Sequence, residues 1–236
     1  MGVTKQTLTV RGNANFHGSS ALQSLLEQVD LLRIDANRKL KPEARAEWGQ
    51  YMTPATVAKL MASMACAKEE RINILDAGAG VGSLAAALIG EICGRPHKPE
   101  AIHLCAYEVD EFLFSYMKTT AELCKKACQE AKINFTSDLR CDDFIRSACD
   151  AVTSQLFVRN PEEFSCVILN PPYRKINSAS AARRLLRSAG IETSNLYSGF
   201  IYLAMKLVAN DGEISAITPR SFCNGPYFKP FRKHLL

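Results

Sequence analysis

Short apolar runs alternate with amphipathic segments through most of this chain, and this alternation limits the folds that are open to it. Five runs are typical of buried strands: 72–75, 101–107, 138–141, 167–169 and 214–217. Between them, apolar residues recur at the spacing of helices. Strands that alternate with helices build parallel sheets covered on both faces, because each strand needs a crossover to reach the next. The sequence therefore predicts an α/β fold with a doubly wound, mostly parallel sheet.

The predicted helices divide the chain into a short extension and one large unit. They cover 19–33, a segment after Thr53-Pro54, 84–92, 111–131, 178–189 and 195–209, and Gly212 is expected to stop the last of them. With 236 residues and 47% hydrophobic content, the chain can bury a single full core. We predict an N-terminal extension with one helix over 1–44 and one α/β domain over 45–236.

Composition argues against membrane, disulfide and metal chemistry. No apolar run reaches membrane-spanning length, and no signal-peptide region is evident, so we expect a soluble, cytoplasmic protein with no membrane partner. The nine cysteines are scattered without a Cys-x-x-Cys pair, and the four histidines are dispersed. We therefore expect reduced, mostly buried thiols, with Cys124 and Cys128 in the core, and no metal site.

The run 167–169 ends abruptly in Asn170-Pro171-Pro172-Tyr173. Two prolines cannot continue the hydrogen-bond ladder, so the strand stops on a rigid tip. The carbonyls of Asn170 and Pro171 could each accept one N–H of an exocyclic amino group, while Tyr173 stacks on a planar ring. These residues indicate a site that works on an amine. The alternative is a simple turn, since Asn and Pro are common at strand ends.

A glycine-rich turn follows the first predicted strand. Gly78, Gly80 and Gly82 alternate after Asp76, which permits a tight turn and a close approach of backbone to ligand. The spacing differs from the Gly-x-Gly-x-x-Gly of dinucleotide folds, which disfavours a nicotinamide oxidoreductase. Glu108 ends the next strand, where an acid can hold ribose hydroxyls. Together these residues favour a nucleoside ligand.

Two further segments are candidates for the same ligand. In Asp142-Asp143-Phe144, an acid beside an aromatic ring could bond the amino group of an adenine and stack on it. Before them in the chain, Thr53 is predicted as a helix N-cap and Pro54 as a first-turn residue, so the exposed N–H groups could hold a carboxylate. The helix behind them is predicted to bury one apolar face, made of Val57, Leu60, Met61 and Met64.

Positive charge concentrates after the Asn-Pro-Pro-Tyr tip. From residue 174 onward, ten Lys and Arg residues face three acids, a net charge of +7, whereas the rest of the chain carries −2. A polyanion that approached the tip would meet this charge. The alternative is a solvated helix face. The candidate phosphate-binding residues are Arg174, Lys175, Arg183, Arg184 and Arg187.

These motifs resemble those of a known enzyme family. The segment 76–82 is similar to the first motif of class I S-adenosylmethionine-dependent methyltransferases, and 170–173 is similar to the catalytic motif of amino-methyltransferases. The segment Gly49-Gln50-Tyr51-Met52-Thr53-Pro54 resembles a motif of bacterial adenine-N6 DNA methyltransferases of restriction-modification systems. Their order matches the gamma class of those enzymes. The resemblance, which covers about 45 to the end, implies a Rossmann-like methyltransferase sheet.

The resemblance also implies roles for individual residues. Tyr51 and Thr53 would hold the methionine part of S-adenosylmethionine, above the loop that contains Asp76, Gly78, Gly80 and Gly82. Glu108 would bind the ribose. Asp143 and Phe144 would contact the cofactor adenine, with Asp142 as a substitute for Asp143. The residues that would engage the target adenine are Asn170, Pro171, Pro172 and Tyr173.

The implied reaction is direct methyl transfer to the N6 amino group of an adenine flipped out of double-stranded DNA. Cytosine-C5 methylation needs a cysteine after a proline, and the sequence has no Pro-Cys pair. No target-recognition region is evident, so specificity is expected from a further C-terminal domain or from another subunit. Three alternatives stay open: methylation of a protein glutamine, methylation of an RNA base, and a non-catalytic module that binds DNA or a partner.

Overall fold

The protein has an α/β fold built on one parallel sheet. The structure is a computed structural model and describes residues 20–40, 52–154 and 163–220. In the described part, the sheet has five strands in the order β3-β2-β1-β4-β5, and every neighbouring pair is parallel. This confirms the predicted fold class. The strands are β1 (Arg71–Ala77), β2 (Ala101–Tyr107), β3 (Asn134–Arg140), β4 (Phe164–Leu169) and β5 (Val208–Ala216).

Helices cover both faces of the sheet. They are α1 (Ser20–Lys39), α2 (Ala55–Ser63), α3 (Ser83–Cys93), α4 (Glu111–Glu130), α5 (Phe144–Ser154), α6 (Ala181–Ser188) and α7 (Leu196–Leu207). One core contains buried residues of α1 to α4, and a second contains buried residues of α5 to α7. No helix in this part of the chain combines the length and apolar character that a bilayer crossing requires.

Alternate residues of the central strand serve the two cores. In β1, Ile72 and Ile74 belong to the first core, whereas Leu75 and Ala77 belong to the second. Successive strand residues point to opposite faces, so a strand buried on both sides is apolar along most of its length. The strand order reverses between β1 and β4, which places a crevice at their carboxyl ends.

The first helix is longer than its sequence pattern predicted. Its leucines and valine, Leu25, Leu26 and Val29, join the first core, as the helical spacing indicated. The helix then continues to Lys39, beyond the predicted end at 33. Its polar last turns are held to α4 by the Tyr116 hydroxyl, which donates to Asp35 Oδ2 at 2.6 Å. Within the helix, Lys39 Nζ lies 2.7 Å from the same oxygen. The α1 helix thus packs on the domain, and the division at residue 44 stays a prediction.

The predicted start of α2 was wrong. The helix begins at Ala55 with Pro54 as its N-cap residue, and Thr53 does not cap it. Asp30 of α1 supplies an acceptor instead, because the Ala55 backbone N–H donates to its Oδ1 at 3.2 Å. The Thr53 hydroxyl is engaged elsewhere, as described below.

The predicted apolar face of α2 was also largely wrong. The helix buries Met61 with two alanines, Ala58 and Ala62. The two small alanine side chains allow α2 to pack closely on α3. With the alanines on the packed face, the larger apolar residues of the segment face outward. Leu60 is 62% exposed, Met64 57% and Val57 37%.

β3 and β5 begin several residues before their predicted starts. β3 starts four residues before the predicted 138, because a partly exposed edge strand does not need to be apolar. Gly212 lies inside β5 instead of stopping α7, which ends at Leu207. The register with β4 is irregular here. A Cβ on Gly212 would lie 2.8 Å from the Phe164 carbonyl oxygen, so this glycine permits a close backbone approach.

Candidate active site

A cavity opens at the carboxyl ends of β1, β2 and β4, where the strand order reverses. Most of the residues that the sequence predicted for one site line it together. They are Thr53, Gly78, Gly80, Glu108, Asp142, Asp143, Phe144, Asn170, Pro171, Pro172, Tyr173 and Arg174. Tyr51 lies outside the described residues. Asp76 and Gly82 do not line the cavity and support its floor from below.

The glycine turn between β1 and α3 forms that floor. Gly78, Gly80 and Gly82 have φ angles of 75°, 60° and 84°, in the region that side chains with a Cβ rarely adopt. A Cβ on Gly82 would also lie 3.0 Å from Thr120 Cγ2. The Ala79 backbone N–H donates to the Tyr107 carbonyl at 2.8 Å, which ties the turn to β2. The alternating glycines are therefore required by backbone geometry.

Asp76 is fully buried at the end of β1. Its Oδ2 accepts a hydrogen bond from the Ala85 N–H at 3.2 Å, and this bond holds the first turn of α3. Its Oδ1 has no partner among the described residues. Burial raises the pKa of Asp76 to about 7, and the neighbouring Glu108 carboxyl adds to the rise. Asp76 is thus a carboxyl whose ionised form the fold disfavours.

Glu108 ends β2 and faces the cavity. Its Oε2 accepts from the Gly80 N–H at 2.8 Å, and its Oε1 accepts from the Asp110 N–H at 2.9 Å. Burial raises the pKa of this carboxyl, while the two N–H donors lower it. Each carboxylate oxygen can accept more than one hydrogen bond, so Glu108 keeps capacity for hydroxyl groups in the cavity.

The segment after β3 brings two acids and an aromatic ring to the cavity wall. Asp142 already accepts two side-chain hydrogen bonds: Arg146 Nη2 lies 2.5 Å from its Oδ1, and the Ser147 hydroxyl donates to its Oδ2 at 2.7 Å. These contacts, that of Ser147 first, lower the pKa of Asp142. Asp143 Oδ1 accepts a hydrogen bond from a backbone group, the Ile145 N–H, at 2.8 Å. The geometry therefore favours Asp143 over Asp142 as a ligand for a polar group.

Phe144 stands at the centre of an aromatic cluster. Its ring lies edge-on to Tyr107, with centroids 5.3 Å apart, and 5.0 Å from the ring of Phe200. Phe200 in turn lies 3.4 Å from the position of a Cβ on Gly78. These rings provide an aromatic, apolar wall for a planar ligand.

Side chains hold the Asn170 amide. Asn170 Nδ2 donates to Thr53 Oγ1 at 3.1 Å. The Tyr173 hydroxyl lies within donating distance of Asn170 Oδ1 and of the Ile217 carbonyl, the latter at 3.1 Å. Burial raises the pKa of Tyr173, so its hydroxyl stays protonated. The acceptor end of the amide faces the tyrosine, and its donor end faces the threonine.

The five basic residues after the tip separate into two groups. Arg174, Lys175 and Arg184 are exposed, and Arg174 lines the cavity. Arg183 is only 9% exposed. Arg183 and Arg187 both pair with Glu192. Glu192 therefore neutralises part of the positive charge that the sequence predicted to be available for phosphates.

Comparison with known proteins agrees with this geometry. The sequence profile of the Eco57I restriction-modification methylase family matches residues 61–236. The chain belongs to this family.

Relatives of known name support the assignment. The chain is 41% identical over 220 residues to the Type II methyltransferase M.BsuBI of Bacillus subtilis, and the match covers 91% of this chain and 42% of that protein. It is 41% identical over 209 residues to M.PstI of Providencia stuartii, covering 88% and 40%. The chain thus spans about two fifths of the length of these curated relatives.

A solved structure shares the fold. It is a protein of Listeria monocytogenes assigned to the class I S-adenosylmethionine-dependent methyltransferases, with a TM-score of 0.63 and 16% identity. The match covers 91% of this chain and 59% of that one. At this identity the likeness concerns the fold alone.

In this member of the Eco57I restriction-modification methylase family, several cavity residues carried no signal in the sequence. The helical spacing of apolar residues in 195–209 predicts Phe200 as a core residue, but its ring faces the cavity from α7. Its spacing is that of the buried stripe, so periodicity could not separate the two roles. Ser83 and Val109 were not singled out and also line the cavity, as does Leu196, which shares the apolar helical spacing of Phe200. No group of three or more potential metal ligands occurs in the described part of the chain.

Proposed function

We propose that this chain is the catalytic part of a DNA methyltransferase that transfers the methyl group of S-adenosylmethionine to the N6 amino group of adenine. The observation that carries the proposal is the meeting of the Asn170 amide and the glycine turn in one cavity. An amine held at Asn170 and a cofactor held over the turn would be neighbours there. The division into an extension over 1–44 and a catalytic domain over 45–236 belongs to the same proposal.

The residues of the cavity fit S-adenosylmethionine. The glycine turn leaves space that side chains would fill, because a Cβ on Gly78 would contact Phe200 at 3.4 Å. The buried Ser83 hydroxyl lines the cavity without a hydrogen-bond partner in the described part of the chain, as expected of a group that awaits a polar ligand. Glu108 would accept hydroxyl groups of the ribose. Asp143 would accept from the adenine amino group, beside the ring of Phe144.

The methionine end of the cofactor would lie near Thr53, at the start of α2, and near Tyr51. When bound, S-adenosylmethionine supplies an electrophilic methyl group on a positively charged sulfur. Every other requirement of the reaction falls on the protein: it must hold the target amine, exclude water and keep the nitrogen lone pair available.

Asn170 and Pro171 are suited to that task. An exocyclic amino group that donates one hydrogen to Asn170 Oδ1 and the other to the Pro171 carbonyl is held closer to tetrahedral geometry. Its lone pair is then less delocalised into the ring and more nucleophilic. The ring of Tyr173 would stack on the base. No covalent intermediate is required, because the amine itself is the nucleophile.

The Tyr173 hydroxyl competes with the target amine for the same oxygen atom. It occupies Asn170 Oδ1, the atom that the target amino group would use. A base that stacks on the tyrosine ring would replace an O–H donor with an N–H donor, so the amide keeps one hydrogen bond throughout. The exchange costs little, and it protects the amide from water before the substrate arrives.

The proposed substrate is double-stranded DNA with a flipped adenine, since a stacked and paired amino group cannot reach a methyl donor inside the protein. Arg174, Lys175 and Arg184 would contact phosphates, which supply affinity without sequence information. Base recognition would come from a further C-terminal domain or from another subunit. In a restriction-modification system, this methylation would protect the DNA of the host.

The test is a methylation assay with radiolabelled S-adenosylmethionine, in which DNA, ribosomal RNA and a release factor compete as substrates. We expect label in DNA, and N6-methyladenine after digestion and mass spectrometry. Asn170→Ala serves as the catalytic control. Label in RNA, in a glutamine side chain or on cytosine would overturn the proposal, and binding of DNA without any transfer would identify a binding module.

A further inference from the structure

Thr53 lines the cavity and contacts Asn170 of the Asn-Pro-Pro-Tyr tip. It is 117 residues from Asn170 in the chain, yet its Oγ1 accepts the hydrogen bond from Asn170 Nδ2 at 3.1 Å. Thr53 is only 5% exposed. It does not cap α2, so its hydroxyl is not consumed by the helix that follows it. The contact with Asn170 therefore needs its own explanation.

A primary amide has two ends of opposite character. Its oxygen accepts hydrogen bonds and its nitrogen donates them, and a half-turn about the last side-chain bond exchanges the two. Only the oxygen can receive an N–H of a target amino group. An amide turned the wrong way would present N–H to N–H, which is repulsive. Catalysis at Asn170 thus depends on which end faces the substrate.

The surroundings of Asn170 select one orientation. Thr53 Oγ1 lies at the nitrogen end, and the Tyr173 hydroxyl lies at the oxygen end. A base would displace the tyrosine hydroxyl but would leave Thr53 in place. The threonine is then the contact that persists during the reaction.

The position of Thr53 is itself well supported. The next helix starts two residues later, and its Ala55 N–H donates to Asp30 Oδ1 of α1. Asp30 also pairs with Arg33 at 2.7 Å, which lowers the pKa of Asp30 and keeps it ionised. The packing of α1 thus anchors the segment that carries Thr53.

We infer that Thr53 is a positioning residue for methyl transfer, whose hydroxyl fixes the orientation of the Asn170 amide toward the target amine. This rests on the proposed function. It goes beyond a role for Thr53 in holding the cofactor, because Thr53 then acts on the rate of transfer through Asn170. A contact with cofactor alone would act on cofactor affinity.

The test compares Thr53→Val, which removes the acceptor at nearly constant shape, with Thr53→Ser, which keeps it. Thr56→Val is the matched control, since Thr56 is exposed in the first turn of α2. We expect Thr53→Val to lower kcat about 10- to 100-fold, because the variant loses the hydrogen bond to Asn170 and leaves a partly buried N–H without this acceptor. The Kd for S-adenosylmethionine, from calorimetry, should rise by much less than kcat falls, because the loss through Asn170 comes in addition to any contact of Thr53 with the cofactor. Thr53→Ser should restore most of the rate.

A second measurement does not depend on activity. In protein labelled with ¹⁵N-asparagine, the Asn170 side-chain amide signals are identified by their loss in Asn170→Ala. We expect Thr53→Val to shift them and Thr56→Val to leave them unchanged. Thermal melting confirms that each variant is folded.

Two results would overturn the inference. One is a Thr53→Val variant with weakened cofactor binding but unchanged kcat, which would make Thr53 a cofactor contact only. The other is an unchanged Asn170 amide signal in that variant. If the wild-type chain methylates no adenine substrate, the proposed function fails, and the amide signals still decide whether Thr53 orients Asn170.

Discussion

The two sides of the cavity are held in different ways. On the side of the glycine turn, backbone groups make the contacts: Ala79 to Tyr107, Gly82 to Ala79, and Gly80 to the Glu108 carboxylate. On the side of the Asn-Pro-Pro-Tyr tip, contacts of side chains with one another hold the working groups. Backbone contacts are fixed by the fold, whereas side-chain contacts can exchange with a ligand. The turn side is therefore built before binding, and the tip side is built to rearrange.

The largest effect is expected from Asn170→Ala, which removes the acceptor on the tip side. Methyl transfer should fall by about two orders of magnitude or more, the scale for loss of a polarising group in an active site. The Kd for S-adenosylmethionine should not change, because the turn side stays intact. Single-turnover kinetics and calorimetry measure the two quantities. Asn210→Ala, on an exposed residue of β5, is the control. Wild-type turnover in Asn170→Ala would remove Asn170 from the mechanism.

On the turn side, Glu108→Ala should act on binding instead. The change removes a carboxylate that faces the cavity and that also holds the Gly80 and Asp110 N–H groups. We expect calorimetry to show affinity for S-adenosylmethionine lower by about tenfold or more. Glu111→Ala, in the exposed first turn of α4, should leave the affinity unchanged. Equal affinity in both variants would place the ribose elsewhere.

Asp76 makes the turn side sensitive to pH. Its pKa in the folded protein is about 7 and its ordinary value is 3.8, so between these pH values the folded state binds a proton that the unfolded state has lost. The free energy of unfolding should then fall as pH rises through this interval, by up to about 1.4 kcal/mol per pH unit, and level off above it.

Asp76→Asn should flatten this dependence, because an amide oxygen can still accept from the Ala85 N–H and has no charge to bury. Urea denaturation at pH 5 and pH 8 makes the comparison. The variant should gain stability relative to wild type at pH 8. A wild-type protein that gains stability between pH 5 and pH 8, with Asp76→Asn unchanged from it, would contradict the buried-acid account.

A smaller effect is expected on the DNA face. Lys175→Ala removes an exposed charge and should lower affinity for random duplexes a few-fold, reducing the slope of log K against log salt by about one. Lys126→Ala, exposed on α4, is the control. Fluorescence anisotropy across a salt series measures both. Salt-insensitive, site-specific binding by the wild-type chain would show that recognition lies within these 236 residues.

The smallest effect on rate is expected from Tyr173→Phe. It keeps the stacking ring and removes the hydroxyl that occupies Asn170 Oδ1, so methyl transfer should stay within about threefold of wild type. Tyr173→Ala removes the stacking as well, and its loss should be milder with mismatched than with paired adenines, because unpaired bases cost less to flip. A severe defect in Tyr173→Phe would show that the hydroxyl acts in the reaction and is not merely displaced.

Local chemistry in the sequence was enough to predict the fold class and most of the cavity. Strands buried on both faces are mostly apolar, a turn with positive φ favours glycine, and prolines end a strand. Each of these features can be recognised from a few consecutive residues. Glu108 and Asn170 could be placed on one rim because carboxyl ends of parallel strands meet at one edge.

What only the tertiary structure decided concerns contacts between distant segments. Thr53 was predicted to cap a helix and instead meets Asn170, because Asp30 of α1 provides the acceptor for the helix start. Arg183 is buried against Glu192, and no local pattern separates it from the exposed Arg184. Phe200 looks like any other core residue of α7. A side chain's partner depends on what the fold brings beside it, and spacing along the chain does not contain that information.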